Sequence, residues 1–123
     1  MLNPNFIILY VDSPAASATF YAGLLGHDPV EQSPTFAMFA LPSGTMLGLW
    51  KRDGVEPAVG TKGGDGEIAF AVDDRETVTS IHRNWTGRGL KVVQQPTDMD
   101  FGHTFVALDP DGHRLRVFHP ATP

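Results

Sequence analysis

The chain has 123 residues, 41% hydrophobic and 19% charged, with a formal net charge of −5 and no cysteine. That is enough apolar material for one domain with a real core, and it excludes structural disulfides, thiolate metal sites and cysteine nucleophiles. Nine Lys and Arg scattered through an acidic chain form no basic stripe, which argues against nucleic acid and for a small molecule as partner.

The first apolar run, FIILYV at 6–11, has no basic segment before it and ends at Asp12. It is expected to be a strand, not a signal peptide or a membrane span. Asp12 or Ser13 is placed to cap a helix that begins at Pro14 and closes at Gly26. A strand at 36–41, a Pro/Gly turn and a second strand ending at Trp50 follow. Residues 52–66, rich in glycine and charge, read as a surface linker.

The second half opens with a strand from Glu67 and a helix capped by Asp73 or Asp74. Val78, Ile81 and Trp85 recur along it at helical spacing, which puts Trp85 in the core, and TGRG at 86–89 stops it. A middle strand is expected at 90–93, then an exposed, turn-rich connection at 94–103, QQPTDMDFGH, able to close over a bound molecule. The last strand alternates, with Arg114, Arg116 and Phe118 on one face and Leu115 and Val117 on the other. His113, in a turn, and His119, beyond that strand, are expected to be exposed.

The chain repeats itself. At an offset of 61, Ile7 aligns with Ile68, Val11 with Val72, Asp12 with Asp73, Leu24 with Trp85 and Gly26 with Gly87. At a slightly larger offset Pro42 aligns with Pro110, Gly44 with Gly112, Gly48 with Arg116 and Trp50 with Phe118. Each half therefore reads as strand, helix, then strands joined by hairpins, with 36–41 and 90–93 as the middle strands.

Two such βαβββ modules, a helix carrying FYxxLLG (Phe20 to Gly26) and a late DPDGH (Asp109 to His113) resemble the vicinal oxygen chelate superfamily of glyoxalases, dioxygenases and bleomycin-resistance proteins. Within it, the opening strand, FALPSG…LGLW and FGHTFVALDPDGHRLRV are most similar to phenazine-antibiotic resistance proteins. The resemblance implies an α+β fold in which two βαβββ modules form a curled mixed sheet around a cavity. One domain would span 1–123, with module one at about 5–51, the linker at 52–66 and module two at about 67–119.

It also implies four symmetry-related metal-ligand positions, which fall on Phe6, Gly48, Glu67 and Arg116. Phe and Gly offer no donor, and Arg stays cationic. At an effective dielectric of about 20, a guanidinium some 4 Å from a divalent ion costs on the order of 8 kcal/mol. The expectation is therefore no metal and no other cofactor, with Arg116 in place of a lost carboxylate and paired to Glu67 across the module interface.

Alternation turns Phe6, Ile8 and Tyr10, then Met46, Gly48 and Trp50, toward the cavity, with Met38 as wall. From the second half Thr104, Val106, Arg116 and Phe118 join them, and His103 is a candidate polar contact. Trp50 is the leading stacking platform, against a core or dimer-interface role. No catalytic residue is nominated, because no nucleophile elbow, P-loop or HxxxH pattern occurs.

The expected function is metal-free binding and sequestration of a planar aromatic antibiotic or toxic metabolite, as a homodimer in the cytoplasm. The alternative is a metal-dependent lyase, isomerase or dioxygenase of the same superfamily.

Overall fold

The structure is a computed structural model that describes residues 4–60 and 66–121. The first half contains β1 (Phe6–Val11), α1 (Pro14–Leu25), β2 (Glu31–Gln32), β3 (Phe36–Ala40) and β4 (Met46–Lys51). The second contains β5 (Glu67–Ala71), α2 (Arg75–Gly87), β6 (Lys91–Met99), β7 (Gly102–Leu108) and β8 (Arg114–Pro120). They belong to two units, Met1–Lys62 and Gly63–Pro123. Each holds one four-stranded mixed sheet, in the orders β1-β4-β3-β2 and β5-β8-β7-β6. The α+β class and the duplication are therefore as the sequence reads.

The helices start where short polar side chains satisfy their first free N–H groups. Ser13 accepts from Ala16 N at 3.1 Å with Pro14 at the first helical position, and Asp74 Oδ1 accepts from Thr77 N at 2.7 Å. Gly26 ends α1 at φ 81°, a left-handed conformation in which a Cβ would be strained. On α1 the buried positions are Pro14, Ser17, Ala18 and Tyr21, spaced i, i+3, i+4, i+7. On α2 buried Val78 and Trp85 bracket half-buried Ile81 and His82 at the same spacing.

One face of each sheet packs on its own helix. In the first unit Val11, Ala37, Phe39, Leu47 and Leu49 are buried there. In the second Phe105, Ala107, Leu115 and Val117 are, with Trp85 set edge-on to Phe70 and Phe105. Trp85 is thus a core residue.

Several expectations are corrected. The counterpart of β3 is β7, not the strand at 90–93, which corresponds to the two-residue β2. Residues 94–103 are not a loop: β6 continues to Met99 and turns through Asp100 and Phe101 into β7. Pro96 is tolerated because β6 is an edge strand whose register against β7 shifts between Gln94 and Thr97. Of the expected linker, 52–54 form a 3-10 turn and Val55 is buried, whereas 61–65 lie outside the described residues.

His119 lies inside β8, half-buried, with Nδ1 3.1 Å from Val72 O. His113 is buried and its Nδ1 lies 2.8 Å from Asp109 Oδ2, so it braces the turn into β8.

Candidate functional site

The face of each sheet turned away from its helix carries the residues with recognition chemistry. In the first unit, register pairs Phe6 with Met46, Ile8 with Gly48 and Tyr10 with Trp50. Across the next ladder Met38 faces Gly48 and Phe36 faces Trp50. Phe6, Tyr10, Met38, Met46, Gly48 and Trp50 therefore share one face, as alternation requires. Tyr10 meets Trp50 edge-on at 6.3 Å between centroids.

Gly48 serves packing. A Cβ there would stand 2.9 Å from both Phe6 Cε1 and Phe36 Cζ, so the two rings lean over the glycine backbone and close the gap between β1 and β3. The result is a continuous aromatic surface, on which Phe6, Ile8 and Tyr10 stay about 40% exposed.

In the second unit the same logic gives a polar cluster. Register pairs Glu67 with Arg114, Ala69 with Arg116 and Ala71 with Phe118. Val106 faces Arg116 and Thr104 faces Phe118. Small Ala69 beside Arg116 leaves room for the guanidinium to cross toward Glu67, and Arg116 Nε donates to Glu67 Oε1 at 2.8 Å. The pair lies between adjacent strands of one sheet, not across the module interface as the sequence suggested.

Arg116 Nη1 also donates to Thr104 Oγ1 at 3.1 Å and to Gln94 Oε1 at 3.3 Å. Thr104 is fully buried and its hydroxyl donates to Val117 O at 2.9 Å, so its lone pair is directed at the guanidinium. The guanidinium carbon stands 5.3 Å above the Phe101 ring, which meets Phe118 edge-on at 6.0 Å. Held by these partners, the Arg116 side chain is 15% exposed, against 36% for Glu67.

Gln94 and Phe101 are members of this cluster that alternation along β7 and β8 could not supply. Both sit on the hairpin arm that the sequence suggests is a loop. Val106 shares the face but is buried. His103 does not: it neighbours Thr104 on β7 and so points to the opposite face, where it meets Asp98.

A divalent metal does not fit the four positions assigned to ligands. Phe6 and Gly48 carry no donor atom, and the Glu67 carboxylate is engaged by the cation at Arg116. Among the described residues no three His, Asp or Glu side chains are grouped to hold an ion. No helix among them is long and apolar enough to cross a membrane.

The sequence model of the Glyoxalase/Bleomycin resistance protein/Dioxygenase superfamily matches residues 3–117. The phenazine antibiotic resistance protein EhpR of Enterobacter agglomerans is 29% identical over 119 residues, covering 94% of this chain and 91% of EhpR. Among solved structures, a protein of Agrobacterium tumefaciens determined by solution NMR is 52% identical, with a TM-score of 0.91 over 99% of this chain and all of that one. A glyoxalase-related enzyme from Fulvimarina pelagi shares the fold at 21% identity, with a TM-score of 0.83 over 97% of this chain and 88% of its own.

Proposed function

The chain belongs to the Glyoxalase/Bleomycin resistance protein/Dioxygenase superfamily, and from that premise we propose that it is a drug-resistance binding protein of the cytoplasm. It sequesters a planar aromatic antibiotic or toxic metabolite and holds it without a metal. The similarity to EhpR supports the resistance role.

The observation that carries the reading is the state of Arg116. Its Nε and Nη1 are committed to Glu67, Gln94 and Thr104, while Nη2 has no partner among the described residues. A guanidinium fixed in this way, next to the rings of Phe101 and Phe118, suits a flat aromatic molecule that carries an acceptor oxygen or nitrogen. On the first sheet Trp50, with Tyr10 edge-on to it, is the proposed stacking ring.

The test is calorimetric titration of phenazine and of planar aromatic carboxylates, with tryptophan emission followed in parallel. Each face is tested separately. Arg116→Met is expected to weaken acceptor-bearing ligands by about tenfold or more, the worth of one charged hydrogen bond. Trp50→Phe is expected to abolish quenching. Silence of the whole panel, or equal affinities in wild type and both variants, overturns the reading.

We also propose that the chain pairs with a second copy. Edge strand β1 exposes Phe6, Ile8 and Tyr10 on one face and Ile7 on the other, the kind of edge that chains cover by association. Sedimentation at micromolar concentration should give a dimer, and a monomer there removes the proposal.

A further inference from the structure

On the helix side of the second sheet, away from Arg116, a cleft of about 320 Å³ is lined by Arg75, Asp98, Met99, Gly102, His103 and His119, among others. Three of these residues lie on one rung: Asp98 on β6 pairs with His103 on β7, and His103 pairs with His119 on β8. The two imidazoles are therefore cross-strand neighbours on the same face.

Gly102 keeps this rung tight. A Cβ at that position, φ 149°, would collide with the His119 carbonyl, so the start of β7 and the end of β8 approach as only glycine allows.

The tautomer of both rings follows from their partners. His103 Nδ1 lies 2.8 Å from Asp98 Oδ1, and a carboxylate only accepts; His119 Nδ1 lies 3.1 Å from Val72 O, and a carbonyl only accepts. Each neutral ring thus carries its proton on Nδ1 and a lone pair on Nε2. Neither Nε2 has a partner among the described residues, and the His103 side chain is 12% exposed. A histidine whose Nδ1–H is pinned by a carboxylate or a carbonyl while Nε2 stays open has the arrangement of metal-binding imidazoles.

The local charge agrees. Arg75 is the cation in the cleft, and its Nη1 is 2.7 Å from the same Asp98 oxygen, so the two charges compensate.

We propose that His103 and His119 form a second ligand site, on the opposite face from Arg116, which takes one borderline divalent ion such as Cu2+, Ni2+ or Zn2+ through the two Nε2 atoms. Water completes the coordination. Asp98 is the positioning residue that fixes the His103 ring. Imidazole donors select these ions over Mg2+ or Ca2+, and affinity should follow the order Cu2+ over Ni2+ and Zn2+. The proposal stands independently of the aromatic-ligand reading.

The experiment is titration of the full chain at neutral pH with Cu2+, Ni2+, Zn2+ and Mg2+, by calorimetry and by Cu2+ electron paramagnetic resonance. One ion per chain is expected at sub-millimolar concentration, with two nitrogen donors in the Cu2+ spectrum and no binding of Mg2+. His103→Gln and His119→Gln should each lower Cu2+ affinity at least tenfold, and Asp98→Asn by about tenfold through loss of ring orientation. His27→Gln is the control and should change nothing.

If a variant fails to fold, the wild-type protein still decides: imidazole 15N resonances of His103 and His119 should shift together on addition of Zn2+. Absence of saturable binding overturns the proposal. So does binding that survives both histidine substitutions, or a Zn2+ response confined to other histidines.

Discussion

Removing the charge of Glu67 tests the polar cluster most directly. In Glu67→Gln the side chain keeps its shape and an acceptor oxygen but leaves Arg116 without its anion. Exposed ion pairs contribute about 0.2–1 kcal/mol, and stripping one partner from a fully buried pair costs about 3–5 kcal/mol. With Arg116 at 15% and Glu67 at 36% exposure, and with Thr104, Gln94 and Phe101 still holding the guanidinium, the cost should fall between these limits, at about 1–2 kcal/mol. Urea denaturation of wild type, Glu67→Gln, Arg116→Met and the double variant measures it. In the Arg116→Met background the Glu67→Gln cost should shrink to about 0.5 kcal/mol or less, because no cation remains to be stranded. If Glu67→Gln costs the same in both backgrounds to within about 0.3 kcal/mol, the two groups are not coupled and Arg116 is not held by Glu67 in solution.

Thr104→Val preserves shape but removes the hydroxyl that joins Val117 O to Arg116, and should lower the urea midpoint by the equivalent of about 1–3 kcal/mol. Gly48→Ala places a methyl against Phe6 and Phe36 and should lower thermal stability by about 1–3 kcal/mol; adding Phe36→Leu should restore part of the loss, and no restoration would put the strain elsewhere. Asp98 is held below its ordinary value of 3.8, first by its hydrogen bond from Arg75 and then by that from His103. The unfolded chain therefore takes up this proton first as acid is added, so the contribution is complete above the ordinary carboxylate value and is lost as pH falls through the native one. Stability curves of wild type and Asp98→Asn should run parallel near neutrality and converge in acid; a gap that persists in strong acid refutes the assignment. Ser13→Ala should cost about 1 kcal/mol by removing the cap of α1, read from the thermal midpoint.

The parts of the fold that the sequence made legible are those with a strong local period. The helices announced themselves through caps at Ser13 and Asp74 and a closing glycine, and alternation along β1, β4 and β8 assigned Phe6, Trp50 and Arg116 to their faces. The repeat by itself makes Gly48 and Arg116 equivalent positions of the two halves. Chemistry that serves two purposes is not legible in this way. The Pro, Asp and Gly cluster of 94–103 is turn chemistry, yet an edge strand accommodates proline, which hides Gln94 and Phe101 as companions of Arg116. A signal was available: Asp100 and Phe101 are a two-residue turn between two alternating runs, the mark of a hairpin. Alternation from Thr104 would likewise have sent His103 to the other face. The direction of the Arg116 side chain was not legible, because it depends on the space beside Ala69, a matter of neighbouring strands and not of local sequence.

The duplication left one indole in each copy, at positions that are not equivalent: Trp50 is half-buried on the first sheet, and Trp85 is buried between α2 and the second. Each half of the molecule thus carries its own built-in chromophore, one open to collisional quenchers and one shielded from them. Time-resolved emission could therefore follow the loosening of the two halves as separate events within a single sample.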